Sequence, residues 1–112
     1  MTAAHLTVEE KRTADEAMLV LTGEIDIATA GSLRDTAQRT IATQPARLVL
    51  DFGGVTFCDS QGLAALIAMN KDVRAAGGRL AFVNVGEFMG RLLDITGLRA
   101  AFEDDSARPP TS

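Results

Sequence analysis

Two short, unbroken apolar runs, Leu48-Val49-Leu50 and Leu80-Ala81-Phe82-Val83, constrain this chain more than any other feature. A strand that is apolar at every position is covered on both faces, and each run here follows a segment with strand or helix periodicity. From Ala30, the apolar positions Leu33, Ala37 and Ile41 recur every fourth residue, with Thr29 as N-cap and Pro45 closing the segment. A second helix carries Leu63, Leu66, Ile67 and Val73 on one side and ends at Gly77-Gly78. A third places Phe88, Leu92 and Ile95 at i, i+4 and i+7. Gly97 is positioned to end it as a left-handed residue, with Leu98 packing back on Leu93.

Ahead of these, His5-Leu6-Thr7-Val8-Glu9 alternates as a half-buried strand does, and residues 13–16 turn the chain into a second strand, Ala17 to Thr22, which Gly23 stops. Residues 51–59 read as a Gly-containing connection, and Ala100-Ala101-Phe102 as a weak final edge strand. The expected fold is α/β in the order ββαβαβα plus that last strand: a mixed, mostly parallel sheet packed against helices. It occupies residues 1–104, with a polar, Pro-containing tail at 105–112. Functional loops in such sheets lie at the carboxyl ends of strands, here residues 23–28 and 52–60.

With 112 residues there is room for one domain, and the net charge of −4 argues against nucleic acid as a partner. The single Cys58 excludes an internal disulfide and fits a reducing compartment. No apolar run approaches the roughly 20 residues of a membrane helix, and the first ten residues lack the layout of a signal peptide; both point to a cytoplasmic protein without membrane insertion. His/Cys ligand clusters are absent, so no metal or cofactor is implied.

The most informative segment is Cys58-Asp59-Ser60-Gln61-Gly62, at a loop-to-helix junction. Asp and Ser are both favoured helix N-caps, and one of them suffices for that task. The other is then displayed at the positive end of a helix. A phosphate on Ser60 would meet a favourable dipole there and add roughly −1.5 to −2 charges beside Asp59.

Asp59-Ser60-Gln61-Gly62-Leu63 resembles the D-S-[ST]-G-L signature of STAS domains that act as bacterial anti-sigma factor antagonists. Thr22-Gly23-Glu24-Ile25-Asp26, followed by Thr29-Ala30 and Leu33, is similar to that family's T-G-E-[IL]-D segment. Gly77-Gly78-Arg79-Leu80 and Asp94-Ile95-Thr96-Gly97-Leu98 match two further landmarks in order, so that the resemblance runs from about His5 to Asp105. It implies partner switching. The unphosphorylated protein would bind an anti-sigma factor that is also a serine kinase, phosphorylation of Ser60 would release it, and a serine phosphatase would reset the switch. It further implies a partner-binding set of Glu24, Ile25, Asp26, Thr29, Cys58, Asp59, Gln61 and Gly62 around Ser60. Gln61 departs from the pattern, leaving Ser60 as the sole hydroxyl acceptor of the motif. A different class, a non-switching STAS subunit of a lipid-transport ATPase complex or a signalling scaffold, fits the same landmarks.

Enzymatic readings fare worse. Glu24 and Asp26 have no second catalytic player near them in sequence, and His5 is the only histidine. Cys58 lacks the arginine that a phosphatase loop needs six residues on, where Ala64 stands. Lys11 and Lys71 are the only lysines, and neither lies in the last third, where a receiver domain carries one. Neither glycine pair completes a phosphate-binding G-x-x-x-x-G-K-[ST] loop.

Overall fold

A computed structural model describes residues 5–101 and 103–104. Strands β1 (Leu6–Arg12) and β2 (Glu16–Ile25) form an antiparallel pair, and α1 (Ala30–Ile41) leads to β3 (Arg47–Cys58). Helix α2 (Ser60–Ala75), strand β4 (Arg79–Val83) and helix α3 (Glu87–Thr96) follow. A 3₁₀ turn (Leu98–Ala101) and the two-residue β5 (Glu103–Asp104) complete the domain. The sheet order is β1-β2-β3-β4-β5, parallel from β2 onward.

Parallel neighbours joined through helices need crossovers of one hand, and strands taken in sequential order then collect their helices on one face. The core shows this. Ala17 and Leu19 of β2 align with Leu48 and Leu50 of β3, which align in turn with Leu80 and Phe82 of β4, and Leu21 and Phe52 join the same core past a register shift. They pack with Leu33, Ala37 and Ile41 of α1, Leu66, Met69 and Val73 of α2, and Met89 and Leu93 of α3. Phe52 and Phe82 meet edge to face with ring centroids 4.9 Å apart.

Both central strands run further than their apolar runs. Gly23 does not stop β2: the chain passes through it at φ 120°, with register shifts on either side, and continues to Ile25. A Cβ there would stand 2.2 Å from the His5 carbonyl oxygen, so β1 can lie alongside only because residue 23 is glycine. Residues 51–58 are likewise strand rather than connection. Gly54 lets β3 follow the irregular β2, because a Cβ would stand 2.8 Å from Thr22 Oγ1 and 3.0 Å from the Leu21 carbonyl. Glycines that read locally as breaks are thus the points of closest strand approach.

Other expectations shift. β1 extends to Arg12, past Glu9. On α2, Leu66 and Val73 are buried with Ala65 and Met69, whereas Ile67 is exposed. On α3 the stripe turns by one residue. Met89, Gly90 and Leu93 are buried, while Phe88 and Ile95 stand 46% and 75% exposed. The apolar residues of α3 offer two offset stripes, and the one that meets the sheet is that of Met89 and Leu93; Arg99 donates to the Gly90 carbonyl at 3.1 Å. Gly97 ends α3 in the left-handed region at φ 73°, as expected, and Leu98 packs on the core cluster containing Leu93. Ala100 and Ala101 belong to the 3₁₀ turn, not to a strand, and the edge strand begins at Glu103. Phe102 and the proposed tail at 105–112 lie outside the described residues.

Candidate functional site

The long strands β2 and β3 end together, Ile25 pairing with Cys58, and this delivers two short segments to one end of the sheet. The first is the turn between Ile25 and Ala30. Its residue Asp26 accepts the Ala28 amide on Oδ1 at 2.9 Å, and its carbonyl accepts the amides of Thr29 at 3.1 Å and Ala30 at 2.7 Å. Thr29 occupies the N-cap position of α1, but its side chain makes no cap hydrogen bond. Its buried hydroxyl donates to the Glu24 carbonyl at 2.7 Å and accepts the Asp26 amide at 2.9 Å, clamping the turn from inside.

The second segment begins α2. Asp59 is the N-cap, extended at φ −104° and ψ −171°, and its Oδ1 accepts the Gly62 amide at 3.0 Å. With the cap role taken by Asp59, Ser60 is the first helical residue, exposed, with its hydroxyl in no hydrogen bond among the described residues. Gln61 is exposed beside it.

The expected partner-binding residues divide into two groups. Glu24, Asp26 and Asp59 are half-buried and Gln61 is exposed, so these reach the surface around Ser60. Ile25, Thr29, Cys58 and Gly62 are buried and form the support beneath. Gly62 is the tightest point: a Cβ would stand 2.5 Å from the Ile25 carbonyl oxygen and 2.7 Å from Cys58 Sγ. Cys58 is 4% exposed, and burial, reinforced by the Asp59 carboxylate, pushes its thiol up to about 12. It is a packing residue, far from the thiolate a nucleophile requires.

Two surface residues were not expected here. Ile27, in the clamped turn, is 75% exposed, and Phe57, in register with Glu24, is 43% exposed. A lone isoleucine after Asp26 and ahead of the Thr29 N-cap position carried the only sequence signal for the first. Phe57 was hidden by the reading of residues 51–59 as a connection. Among the described residues no group of His, Cys, Asp and Glu could hold a metal ion, and no helix is long and apolar enough to cross a membrane.

Comparison with known proteins agrees with this architecture. Residues 8–102 match a protein-family model described as "Mlab, STAS domain". The anti-sigma-B factor antagonist of Bacillus subtilis is 34% identical over 95 residues, covering 85% of this chain and 86% of that protein. The anti-sigma-F factor antagonist RsfB of Mycobacterium tuberculosis is 31% identical over 86 residues, covering 77% and 70%. The crystal structure of an anti-sigma factor antagonist from Mycobacterium paratuberculosis superposes with a TM-score of 0.80 at 28% identity, covering 89% of this chain and 85% of that one.

Proposed function

The chain belongs to the STAS-domain family, and from that membership we propose that it is an anti-sigma factor antagonist switched by phosphorylation of Ser60 in the cytoplasm. Unphosphorylated, it docks on an anti-sigma factor through the surface formed by Glu24, Asp26, Asp59 and Gln61, and so frees the sigma factor. The anti-sigma factor is also a kinase. It transfers the γ-phosphoryl group of ATP to Ser60 Oγ, the hydroxyl proton leaving to a base on the kinase and ADP remaining there. A serine phosphatase removes the phosphate and restores docking.

The observation that carries this reading is the position of Ser60: an exposed hydroxyl with no hydrogen-bond partner among the described residues, at the start of α2, where its neighbour already performs the capping. The cap hydrogen bond that a serine could supply at this helix start is already made by Asp59. A phosphate at this position gains from the helix dipole, so the modified chain stays folded. Its added charge lies beside Asp59 and faces the nucleotide of the kinase that delivered it, which opposes continued docking. The names of curated relatives, an anti-sigma-B and an anti-sigma-F factor antagonist, favour this reading over a non-switching subunit.

The test is peptide mapping by mass spectrometry of the protein recovered from its host, with and without phosphatase treatment. A phosphatase-sensitive phosphate on Ser60 is the expected result. A chain unmodified at Ser60 in growing, starved and stressed cells alike would overturn the switch.

A further inference from the structure

We propose that Ile27, with Phe57 at the same end of the sheet, is the apolar anchor of the docking surface, received by a nonpolar pocket whose rim carries lysine or arginine. This rests on the partner-switching reading above.

Position is the first argument. Ile25 pairs with Cys58, so Ile27 lies two residues beyond one member of the pair and Ser60 two beyond the other. Phe57 lies one residue before Cys58, aligned with Glu24. The apolar pair and the phosphoacceptor therefore share one end of the sheet.

Presentation is the second. A large apolar side chain left 75% exposed forgoes most of its burial free energy in the free protein and recovers it on being enclosed by a partner. Ile27 stands on a turn already fixed by Asp26 and Thr29, and its β-branched side chain has few rotamers. Docking thus orders almost nothing that is free beforehand, the condition under which buried apolar area converts to affinity.

Charge is the third, and it selects the occupant. Glu24 and Asp26 flank the apolar pair. Arg34, the cation nearest in sequence after Ile27, is held by Asp72 at 3.2 Å. A partner bringing carboxylates to this rim would be repelled, and one bringing lysine or arginine would be drawn in and oriented. A second copy of this chain meeting this surface with its own would bring the same acids to the rim and be repelled.

The experiment titrates the purified kinase that phosphorylates Ser60 with wild type, Ile27→Ser, Phe57→Ser, Ile95→Ser and Ser60→Asp, at low and moderate salt. Ile95 is the matched control, equally exposed but carried by α3. Ile27→Ser should weaken binding at least about tenfold with an unchanged melting temperature, Phe57→Ser less, and Ile95→Ser less than about twofold. Wild-type affinity should fall with salt. If Ile27→Ser binds within about twofold of wild type while Ser60→Asp is released, the anchor is wrong and the switch stands. If Ile27→Ser is weakened and Ser60→Asp binds as wild type, the anchor stands and the switch fails. Strong loss in Ile95→Ser alone would move the anchor to α3 and overturn the proposal.

Discussion

The amide of Asp59 donates to the carbonyl of Ile25 over 3.2 Å, joining the residue that caps α2 to the last residue of β2. The strand end carrying Glu24, the turn carrying Asp26 and Ile27, and the helix start carrying Ser60 are consequently one unit. Gly62 closes over the same carbonyl, with no space for a Cβ. A partner that reads both segments meets a surface whose two halves cannot drift apart.

Gly62→Ala should therefore destabilise the domain, although alanine is the better helix former by about 1 kcal/mol. The clash is with backbone and with a buried sulfur, neither of which can swing away, and overpacking of this kind costs about 1–3 kcal/mol. Gly31→Ala on α1, where a Cβ meets nothing within 4 Å, should instead raise stability by about 0.5 kcal/mol. Thermal melts of the two variants beside wild type should move in opposite directions.

At Asp59, cap and charge can be separated. Asp59→Ala removes the acceptor for the Gly62 amide and should cost about 0.5–2 kcal/mol in urea unfolding. Asp59→Asn keeps an acceptor at the same place and should lie near wild type in stability. Equal losses in both variants would show that the carboxylate charge, and not the cap, stabilises this end of α2.

Thr29→Val preserves shape but withdraws the donor to Glu24 and the acceptor for Asp26. A loss of about 1–3 kcal/mol is expected, since the abandoned groups lie against a buried side chain. Thr29→Ser should recover most of it. In native-state hydrogen exchange the Asp26 amide should lose protection in the valine variant and regain it in the serine variant.

The thiol of Cys58 gives a pH dependence with a definite sign. Its folded value, about 12, lies above the ordinary 9.0, so as pH rises the unfolded chain loses this proton first. The contribution is complete below about pH 9 and is lost as pH climbs from there towards 12. Urea unfolding across this window should show wild type losing stability faster than Cys58→Ala, the other titrations being common to both. At pH 8 iodoacetamide should modify the thiol slowly in the native protein and rapidly in urea.

The register of helices and strands was largely legible because each signal is local. The every-fourth spacing of Leu33, Ala37 and Ile41, the glycine at 97 and the run Leu48-Val49-Leu50 mean the same thing in any surroundings. The readings at Gly23, at residues 51–58 and at Phe88 failed for one shared reason: each depends on what lies opposite. A glycine that breaks an isolated strand is, between β1 and β3, the residue that allows pairing to continue. An apolar residue on α3 is inside or outside according to which of two offset stripes meets the sheet.

By itself the sequence determined the α/β order, the family and the segment Asp59-Ser60-Gln61-Gly62 at the start of a helix, because periodicity, capping chemistry and motif spacing are properties of the chain read along its length. Only the tertiary structure decided which motif residues are exposed and which lie beneath them. Glu24, Asp26, Asp59 and Gln61 reach the surface, whereas Ile25, Thr29, Cys58 and Gly62 do not. It also left Ile27 and Phe57 exposed at the end of the sheet where β2 and β3 stop. Exposure and adjacency are set by the pairing of β2 with β3, a contact between segments some 30 residues apart, and no local pattern encodes what a side chain meets across such a distance.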